Sequence, residues 1–197
     1  MKIFYVHGIG SSGGGNTVEM IKKYFNDDIV ISPDIPVDPI EAYDFIKRSA
    51  GDCDLVIGTS LGGFYTMMIP GVYKILIDPA INADETVENV IGIGEHEFLR
   101  KRENNEKTYV VDKNFINKLR ELKDNFFTNY FDYEYKNETY GIFGRYDTVT
   151  DERDTFLNKW RKYRFYEDDF GHRMTEDVFT RTVLPIIKEI KKRVEYN

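Results

Sequence analysis

The sequence predicts an α/β protein in which helices form the outer layers of a three-layer sandwich around a six-stranded, mainly parallel sheet. Short apolar segments alternate along the chain with segments of helical periodicity, the pattern of strand–helix units in a parallel sheet. The 197 residues suffice for one sizeable core. The 41% hydrophobic and 31% charged contents are typical of a folded globular chain. We therefore expect 1–197 to form a single domain.

Six strands are expected along the chain. Most of these segments are short and rich in Ile, Val, Phe or Tyr, as buried parallel strands tend to be. Their predicted ranges are 2–6, 29–32, 55–58, 74–78, 138–143 and 163–167.

Helices fit between these strands. The clearest is the last, because apolar residues recur at intervals of three or four from Val178 to Val194 and Thr175 is suited to cap its start. The predicted ranges are 16–25, 39–49, 61–69, 151–162 and 175–194.

One long segment, 82–136, interrupts the alternation. It is polar, it contains Gly92 and Gly94, and only one helix is indicated inside it, at about 112–125. Structureless loops of this length are rare inside compact domains and are usually functional. We therefore expect 82–136 to be an insertion that covers a site.

Charge and cysteine content restrict the classes of partner and compartment. The formal net charge of -7 repels phosphate backbones and anionic lipid, so neither nucleic acid nor a membrane is an expected partner. Cys53 is the only cysteine, which excludes an intramolecular disulfide and a multi-cysteine metal site. A single cysteine suits a reducing compartment, so the cytoplasm is the expected location. No apolar window in the sequence is long enough to span a bilayer. The oligomeric state is not indicated.

The strongest local motif is Gly58-Thr59-Ser60-Leu61-Gly62, which follows an apolar strand and precedes a helix. A serine in a sharp strand-to-helix turn exposes its hydroxyl for attack, and the flanking glycines allow neighbouring backbone to pass without a Cβ clash. The motif predicts that Ser60 is a nucleophile.

Two later loops supply the partners that such a nucleophile needs. Asp147 follows the fifth predicted strand and His172 follows the sixth, so the chain order is Ser, Asp, His. Loops after parallel strands open at one edge of the sheet, where sites of this fold class lie. We expect His172 to take the serine proton and Asp147 to orient the imidazole.

The first loop, after strand 2–6, completes the predicted site. Its glycines allow a backbone N–H to point at a developing oxyanion, and the expected donors are the N–H groups of Ile9 and Leu61. Further residues near these loops are expected to contact an acyl substrate or to shape its pocket: His7, Phe64, Tyr65 and Tyr146. Neither a cofactor nor a metal is expected.

The same glycines permit other interpretations. The segment from Gly8 to Gly13 also matches G-x-G-x-x-G after a strand, and Asp34 lies about where a ribose-binding acid should, so a dinucleotide-binding protein is an alternative. That hypothesis has no use for Ser60 or His172. A third possibility is a non-catalytic binding protein that retains the fold.

These motifs together resemble the α/β-hydrolase superfamily, and within it the small YqiA-like bacterial esterases. The resemblance is carried by His7-Gly8, Thr59-Ser60-Leu61-Gly62-Gly63, Asp78-Pro79-Ala80, Gly144-Arg145-Tyr146-Asp147 and Gly171-His172-Arg173. It implies a minimal α/β-hydrolase fold with strand order 2-1-3-4-5-6 and no large cap domain. The implied activity is hydrolysis of a small-molecule acyl ester or thioester.

One departure from the family concerns the acid. Where the family's pattern is Asn-Pro-Ala, this chain has Asp78-Pro79-Ala80. Some α/β-hydrolases carry their catalytic acid at this place, after the strand next to the nucleophile's strand. Asp78 is therefore an alternative to Asp147 as the acid, and Asp147 is preferred.

Overall fold

The structure is a computed structural model that describes residues 1–131, 138–160 and 164–195. Three predicted parts lie outside the described residues. They are the first residue of the predicted strand 163–167, the last two residues of the predicted helix 151–162, and residues 132–136 of the predicted insertion.

A six-stranded sheet forms the centre of the molecule, and its order is β2-β1-β3-β4-β7-β8. Every neighbouring pair is parallel. This confirms the predicted order, with the last two predicted strands corresponding to β7 and β8. The strands are β1 (Lys2–Val6), β2 (Ile29–Ile31), β3 (Leu55–Thr59), β4 (Tyr73–Ile77), β7 (Thr139–Gly144) and β8 (Phe165–Asp168).

Helices cover both faces, because each strand alternates its apolar side chains between two cores. One face carries α2 (Pro39–Ser49), α3 (Leu61–Met67), α5 (Lys113–Asn125) and α6 (Arg153–Lys159). The other carries α1 (Asn16–Tyr24) and the C-terminal helices α7 (Glu176–Val178) and α8 (Leu184–Glu195), joined by a π-helical turn at Phe179–Val183. Within the described residues, no helix combines the length and apolar character needed to cross a membrane.

The segment between β4 and β7 contains more structure than the sequence predicts. The expected helix is present as α5, whose start is capped by Asp112 through a hydrogen bond from Phe115 N–H. It is preceded by a short helix, α4 (Ala83–Thr86), with a π-helical turn at Val87–Ile91, and by an antiparallel hairpin of β5 (Gly94–Glu97) and β6 (Thr108–Val111). The hairpin was not predicted.

Most other differences are shifts of element ends. Strand β4 ends at Ile77 because Asp78 leaves the strand with a φ of 41°, a left-handed conformation. Helix α6 begins at Arg153, two residues later than predicted. Both shifts place a polar residue in a loop at the carboxyl edge of the sheet.

Candidate functional site

Ser60 lies in a strained turn between β3 and α3. Its φ and ψ are 54° and -122°, a backbone conformation that non-glycine residues rarely adopt. The turn is fixed by its backbone hydrogen bonds, since Ser60 N–H donates to Ile77 and Ser60 O accepts from Gly63, Phe64 and Ala80 N–H. Strain of this kind persists only when the surroundings hold it, and it occurs mainly at functional sites.

The glycines around Ser60 are required by close backbone packing. A Cβ at Gly62 would lie 2.2 Å from the carbonyl oxygen of Val6, and one at Gly58 would lie 2.3 Å from that of Gly62. A Cβ at Gly63 would meet Pro79 at 2.8 Å. Helix α3 is therefore held tightly against β1 and the β4 loop, which fixes the position of Ser60.

His172 and Asp147 are joined directly. His172 Nδ1 lies 2.8 Å from Asp147 Oδ2, and the aspartate side chain is only 1% exposed whereas that of His172 is 29% exposed. Because an ionised carboxylate only accepts hydrogen bonds, the proton of the neutral imidazole is on Nδ1. Nε2 is then free to accept a proton.

Asp147 is held as a carboxylate. Its Oδ1 accepts hydrogen bonds from Val149 and Thr150 N–H, at 2.7 and 3.4 Å, and Thr150 Oγ1 lies 2.9 Å from Oδ2. Burial by itself raises the pKa of Asp147, but the hydrogen bonds from His172, Val149 and Thr150 outweigh burial and keep the pKa below its usual range.

The two loops that carry these residues are tied to each other. Tyr146 N–H donates to Phe170 O at 3.0 Å, and Arg145 N–H donates to Asp168 O at 2.9 Å. A Cβ at Gly144 would lie 2.6 Å from Phe170 O, so the close approach of the loops requires glycine there. The loop of Asp147 thus positions the loop of His172.

Ser60 and His172 are not joined by a hydrogen bond among the described residues. Catalytic hydrogen bonds are often long without a substrate and shorten when one binds. The structure therefore places His172 and Asp147 in direct contact. Ser60 follows β3 of the same parallel sheet, so all three residues lie at its carboxyl edge.

Asp78 follows β4 and lies beside the Asp147–His172 pair. The three residues each offer a carboxylate oxygen or ring nitrogen within 4.8 Å of the others. Asp78 does not hydrogen bond to His172; its Oδ1 instead accepts from Gly144 N–H at 2.7 Å. Burial raises the pKa of Asp78 to about 7, with the charge of Asp147 adding to the effect of burial.

His7 braces the loop after β1. Ile35 N–H donates to His7 Nε2 at 3.0 Å, so His7 Nδ1 carries the proton and donates to Gly8 O at 2.8 Å. Burial lowers the pKa of His7, which favours this neutral form. The side chain shapes the loop that carries Ile9.

The N–H groups of Ile9 and Leu61 have no hydrogen-bond partner within the described part of the chain. Leu61 N–H is at the first position of α3, where intrahelical acceptors are lacking. Gly8 packs against the nucleophile turn, since a Cβ there would lie 3.2 Å from Ser60 Cβ. Leu61 N–H thus follows Ser60 directly, and the loop that carries Ile9 packs against the turn of Ser60.

A narrow cleft, partly open to solvent, extends from this loop. Apolar side chains dominate its lining. They come from the β1 loop, the loop after β2, α3, the hairpin region and α5: Ile9, Ile35, Val37, Leu61, Tyr65, Phe98, Tyr109 and Phe115.

The hairpin region is anchored on the β1 loop. Leu99 N–H donates to Gly10 O at 2.7 Å, and Arg102, only 4% exposed, donates to Ser11 O and to Ile35 O at 3.3 and 2.7 Å. Tyr109 packs on Gly10, where a Cβ would lie 3.1 Å from the phenol oxygen. The insertion therefore supports the loop that carries Ile9.

Three of the predicted substrate contacts occupy different environments. Tyr65 lines the cleft, as His7 does. Phe64 is fully buried in the core and is not part of the cleft lining, and Tyr146 is 64% exposed. Burial of Phe64 follows from its place on α3, a helix in which every residue is buried.

Sequence reasoning missed Thr150, Arg102 and Tyr109. Thr150 is three residues after Asp147, and a short polar residue at this spacing is typical of a turn closed by an aspartate side chain. No local signal marks Arg102, because its partners are distant backbone carbonyls.

The glycine-rich loop does not resemble a phosphate cradle in its contacts. Gly13 N–H donates to Asp34 Oδ1 at 2.8 Å, and Asp34 Oδ2 accepts from Glu103 N–H at 2.7 Å. A Cβ at Gly13 would lie 2.0 Å from Ser32 O, so the loop packs on its own protein. Each oxygen of the Asp34 carboxylate therefore already accepts a hydrogen bond from the protein's own backbone.

Solved structures with the same fold include several hydrolases. Est1E from Butyrivibrio proteoclasticus has a TM-score of 0.66 at 13% identity, over 96% of this chain and 88% of that one. MGS-MChE2, an α/β-hydrolase from a lagoon-sediment metagenome, has a TM-score of 0.63 at 18% identity, over 98% and 91%. The Paleococcus ferrophilus monoacylglycerol lipase has a TM-score of 0.60 at 13% identity, over 95% of this chain and 93% of that one.

The sheet order, the two helical layers and these likenesses define an α/β-hydrolase fold. No curated protein matches the sequence. The chain matches the group described as "Uncharacterised protein family (UPF0227)" over residues 2–188, and it belongs to that family.

Proposed function

We propose that the protein is a serine hydrolase that cleaves carboxylic esters or thioesters through an acyl-enzyme intermediate. The observation that carries the proposal is the 2.8 Å contact between His172 Nδ1 and Asp147 Oδ2, at the sheet edge where Ser60 sits in a strained turn. A nucleophile, a base and a group that orients the base are the parts that acyl transfer requires.

In the acylation step, Ser60 Oγ attacks the carbonyl carbon of the substrate and its proton passes to His172 Nε2. The negative charge that develops on the carbonyl oxygen is stabilised by the free N–H groups of Ile9 and Leu61. Asp147 stabilises the imidazolium without taking its proton.

The tetrahedral intermediate then collapses and expels an alcohol or thiol, which receives the proton from His172. In the second half of the reaction, His172 accepts a proton from water and the resulting hydroxide attacks the acyl-enzyme. A carboxylic acid leaves and Ser60 recovers its proton from His172. The two half-reactions therefore balance without a cofactor.

The substrate proposed is a small acyl ester or thioester. The apolar cleft beside Ile9 and Leu61 suits the acyl group, because burial of CH₂ groups is favourable by about 0.8 kcal/mol each. Similarity in fold to a monoacylglycerol lipase and to a methylesterase, MES16 from Arabidopsis, is consistent with ester hydrolysis. Cys53 is free and buried, which suits the reducing cytoplasm.

The alternatives have less support. The dinucleotide hypothesis needs an available Asp34, whereas that carboxylate is bound to two backbone N–H groups. The hypothesis of a non-catalytic binding protein gives no reason for the strained turn at Ser60 or for the His172–Asp147 contact.

A series of nitrophenyl esters of increasing acyl length tests the proposal. We expect hydrolysis by the wild type, loss of it in Ser60→Ala, and a fall of about 10³–10⁴-fold in kcat for Asp147→Asn. The corresponding acyl thioesters distinguish the two substrate classes. Equal hydrolysis by wild type and Ser60→Ala would refute Ser60 as the nucleophile.

A further inference from the structure

We propose that Asp78 is a second acidic group of the site, a positioning residue that strengthens His172 as a base when the Asp78 carboxyl ionises. The inference depends on the proposed hydrolase function and deepens it. It differs from the alternative in which Asp78 replaces Asp147, because here the two carboxyl groups act together.

The location of Asp78 is the first observation. The residue follows β4, which lies between the strand of Ser60 and the strand that precedes Asp147. The residue is 1% exposed, and one of its carboxylate oxygens lies within 4.8 Å of a carboxylate oxygen of Asp147 and of a ring nitrogen of His172. At this distance an ionised carboxyl group interacts electrostatically with the imidazole.

The two carboxyl oxygens of Asp78 differ in their hydrogen bonding. Oδ1 accepts from Gly144 N–H, but Oδ2 is buried and has no hydrogen-bond partner among the described residues. A group needed only to hold Gly144 would be served by an asparagine oxygen. A buried polar atom without a partner is costly, so packing does not explain the acid.

The charges that face Asp78 favour a pH-dependent role. Asp147 repels a charge on Asp78, whereas the His172 imidazolium and Arg153 on α6 attract one. Arg153 is itself paired with Asp151 and Glu167. The nearby Glu152 is also buried and accepts from Asn82 N–H and Nδ2.

These charges couple the proton of Asp78 to that of His172. With a pKa of about 7, Asp78 is mostly neutral below neutral pH and mostly ionised above it. Ionisation of Asp78 favours the imidazolium, and by linkage the imidazolium favours ionised Asp78. During acylation His172 acquires the Ser60 proton, so an ionised Asp78 stabilises the transition state more than the free enzyme.

The test compares wild type with Asp78→Asn, which keeps an oxygen for Gly144 N–H but has no ionisable proton. Two quantities are measured from pH 5.5 to 9.5: kcat/KM for a nitrophenyl ester and the imidazole titration of His172 by NMR, assigned with His172→Gln. Asp154→Asn, at an exposed position on α6, is the matched control.

We expect the His172 imidazole to hold its proton less tightly in Asp78→Asn than in the wild type, because a nearby opposite charge favours the charged form of a titratable group. The ratio of wild-type to variant kcat/KM should rise from near one at pH 5.5 to about tenfold at pH 9. An unchanged His172 titration with a ratio that is constant across the pH range would overturn the inference.

Failure of the proposed function is distinguishable from failure of this inference. If neither protein hydrolyses the ester and a fluorophosphonate does not label Ser60, the hydrolase proposal fails. The His172 titration still decides whether Asp78 is coupled to the imidazole.

Discussion

Replacing Asp78 with asparagine is expected to stabilise the folded protein, and the gain should increase with pH. The reason is that folding moves the Asp78 carboxyl to a buried site where its pKa is about 7, against 3.8 in the unfolded chain. A raised pKa of an acid favours the folded state only while the group is protonated. The stability that the protonated carboxyl group contributes is fully present below the unfolded pKa of 3.8. It is lost as the pH rises through the folded pKa of about 7.

The magnitude follows from the two pKa values. At 1.36 kcal/mol per pKa unit, the raised pKa of Asp78 destabilises the folded state relative to the unfolded chain by about 2 kcal/mol at pH 5, where only the unfolded chain ionises, and by about 4 kcal/mol at pH 8. Asparagine avoids this cost, retains the acceptor for Gly144 N–H, and tolerates the φ of 41° at least as well. The advantage of Asp78→Asn should therefore grow by about 2–3 kcal/mol between these pH values.

Urea denaturation of both proteins at pH 5 and pH 8 measures this difference. The comparison between pH values isolates ionisation, because packing differences between Asp and Asn do not depend on pH. Asp154→Asn, which is exposed, should show no such growth. A stability difference between wild type and Asp78→Asn that is the same at both pH values would rule out a raised pKa for Asp78 in the folded protein.

Three other predictions concern the architecture around the site. Gly62→Ala should destabilise the protein by about 3 kcal/mol or more in urea denaturation, because the new Cβ meets a backbone carbonyl at 2.2 Å, whereas Gly14→Ala, in open space, should be nearly neutral. Arg102→Met leaves two backbone carbonyls without their donor and should cost about 2–4 kcal/mol, whereas Arg100→Met on the surface should cost less than about 0.5 kcal/mol; equal losses would contradict the anchoring role. Phe98→Ala enlarges the cleft and should shift the preferred nitrophenyl ester to longer acyl chains; an unchanged preference would exclude the cleft as the acyl site.

The central sheet was predictable because its signals are local. Each strand is a short apolar run followed by a turn and a helix with a clear periodicity, so the element types follow from neighbouring residues. The position of Ser60 was predictable for the same reason. Its two flanking glycines are adjacent in sequence to the nucleophile turn that requires them.

The β5–β6 hairpin was not predictable in this way. Strand β5 has the sequence Gly-Glu-His-Glu, which has little intrinsic preference for a strand. It is formed by pairing with β6, where Tyr109 and Val111 face the core and the alternate residues are exposed. The Thr-Tyr-Val-Val run of β6 was the available signal, but it lacks a partner of similar character nearby.

The environment of Asp78 depends on residues that are far apart in the sequence. The donor Gly144 is the last residue of β7, Asp147 lies in the loop after β7, and His172 lies in the loop after β8. The sequence permits either acid as the partner of His172. Only the folded geometry distinguishes a carboxylate bound to the imidazole from one that lies beside it.

Covalent labelling with a serine-directed fluorophosphonate tests most directly whether Ser60 is an activated nucleophile. Mass spectrometry of the digested protein should find one modified peptide, which contains Ser60, in the folded wild type. The modification should be absent from Ser60→Ala and from heat-denatured protein. Absence of labelling in the native wild type, or labelling that persists in Ser60→Ala, would contradict the proposed nucleophile.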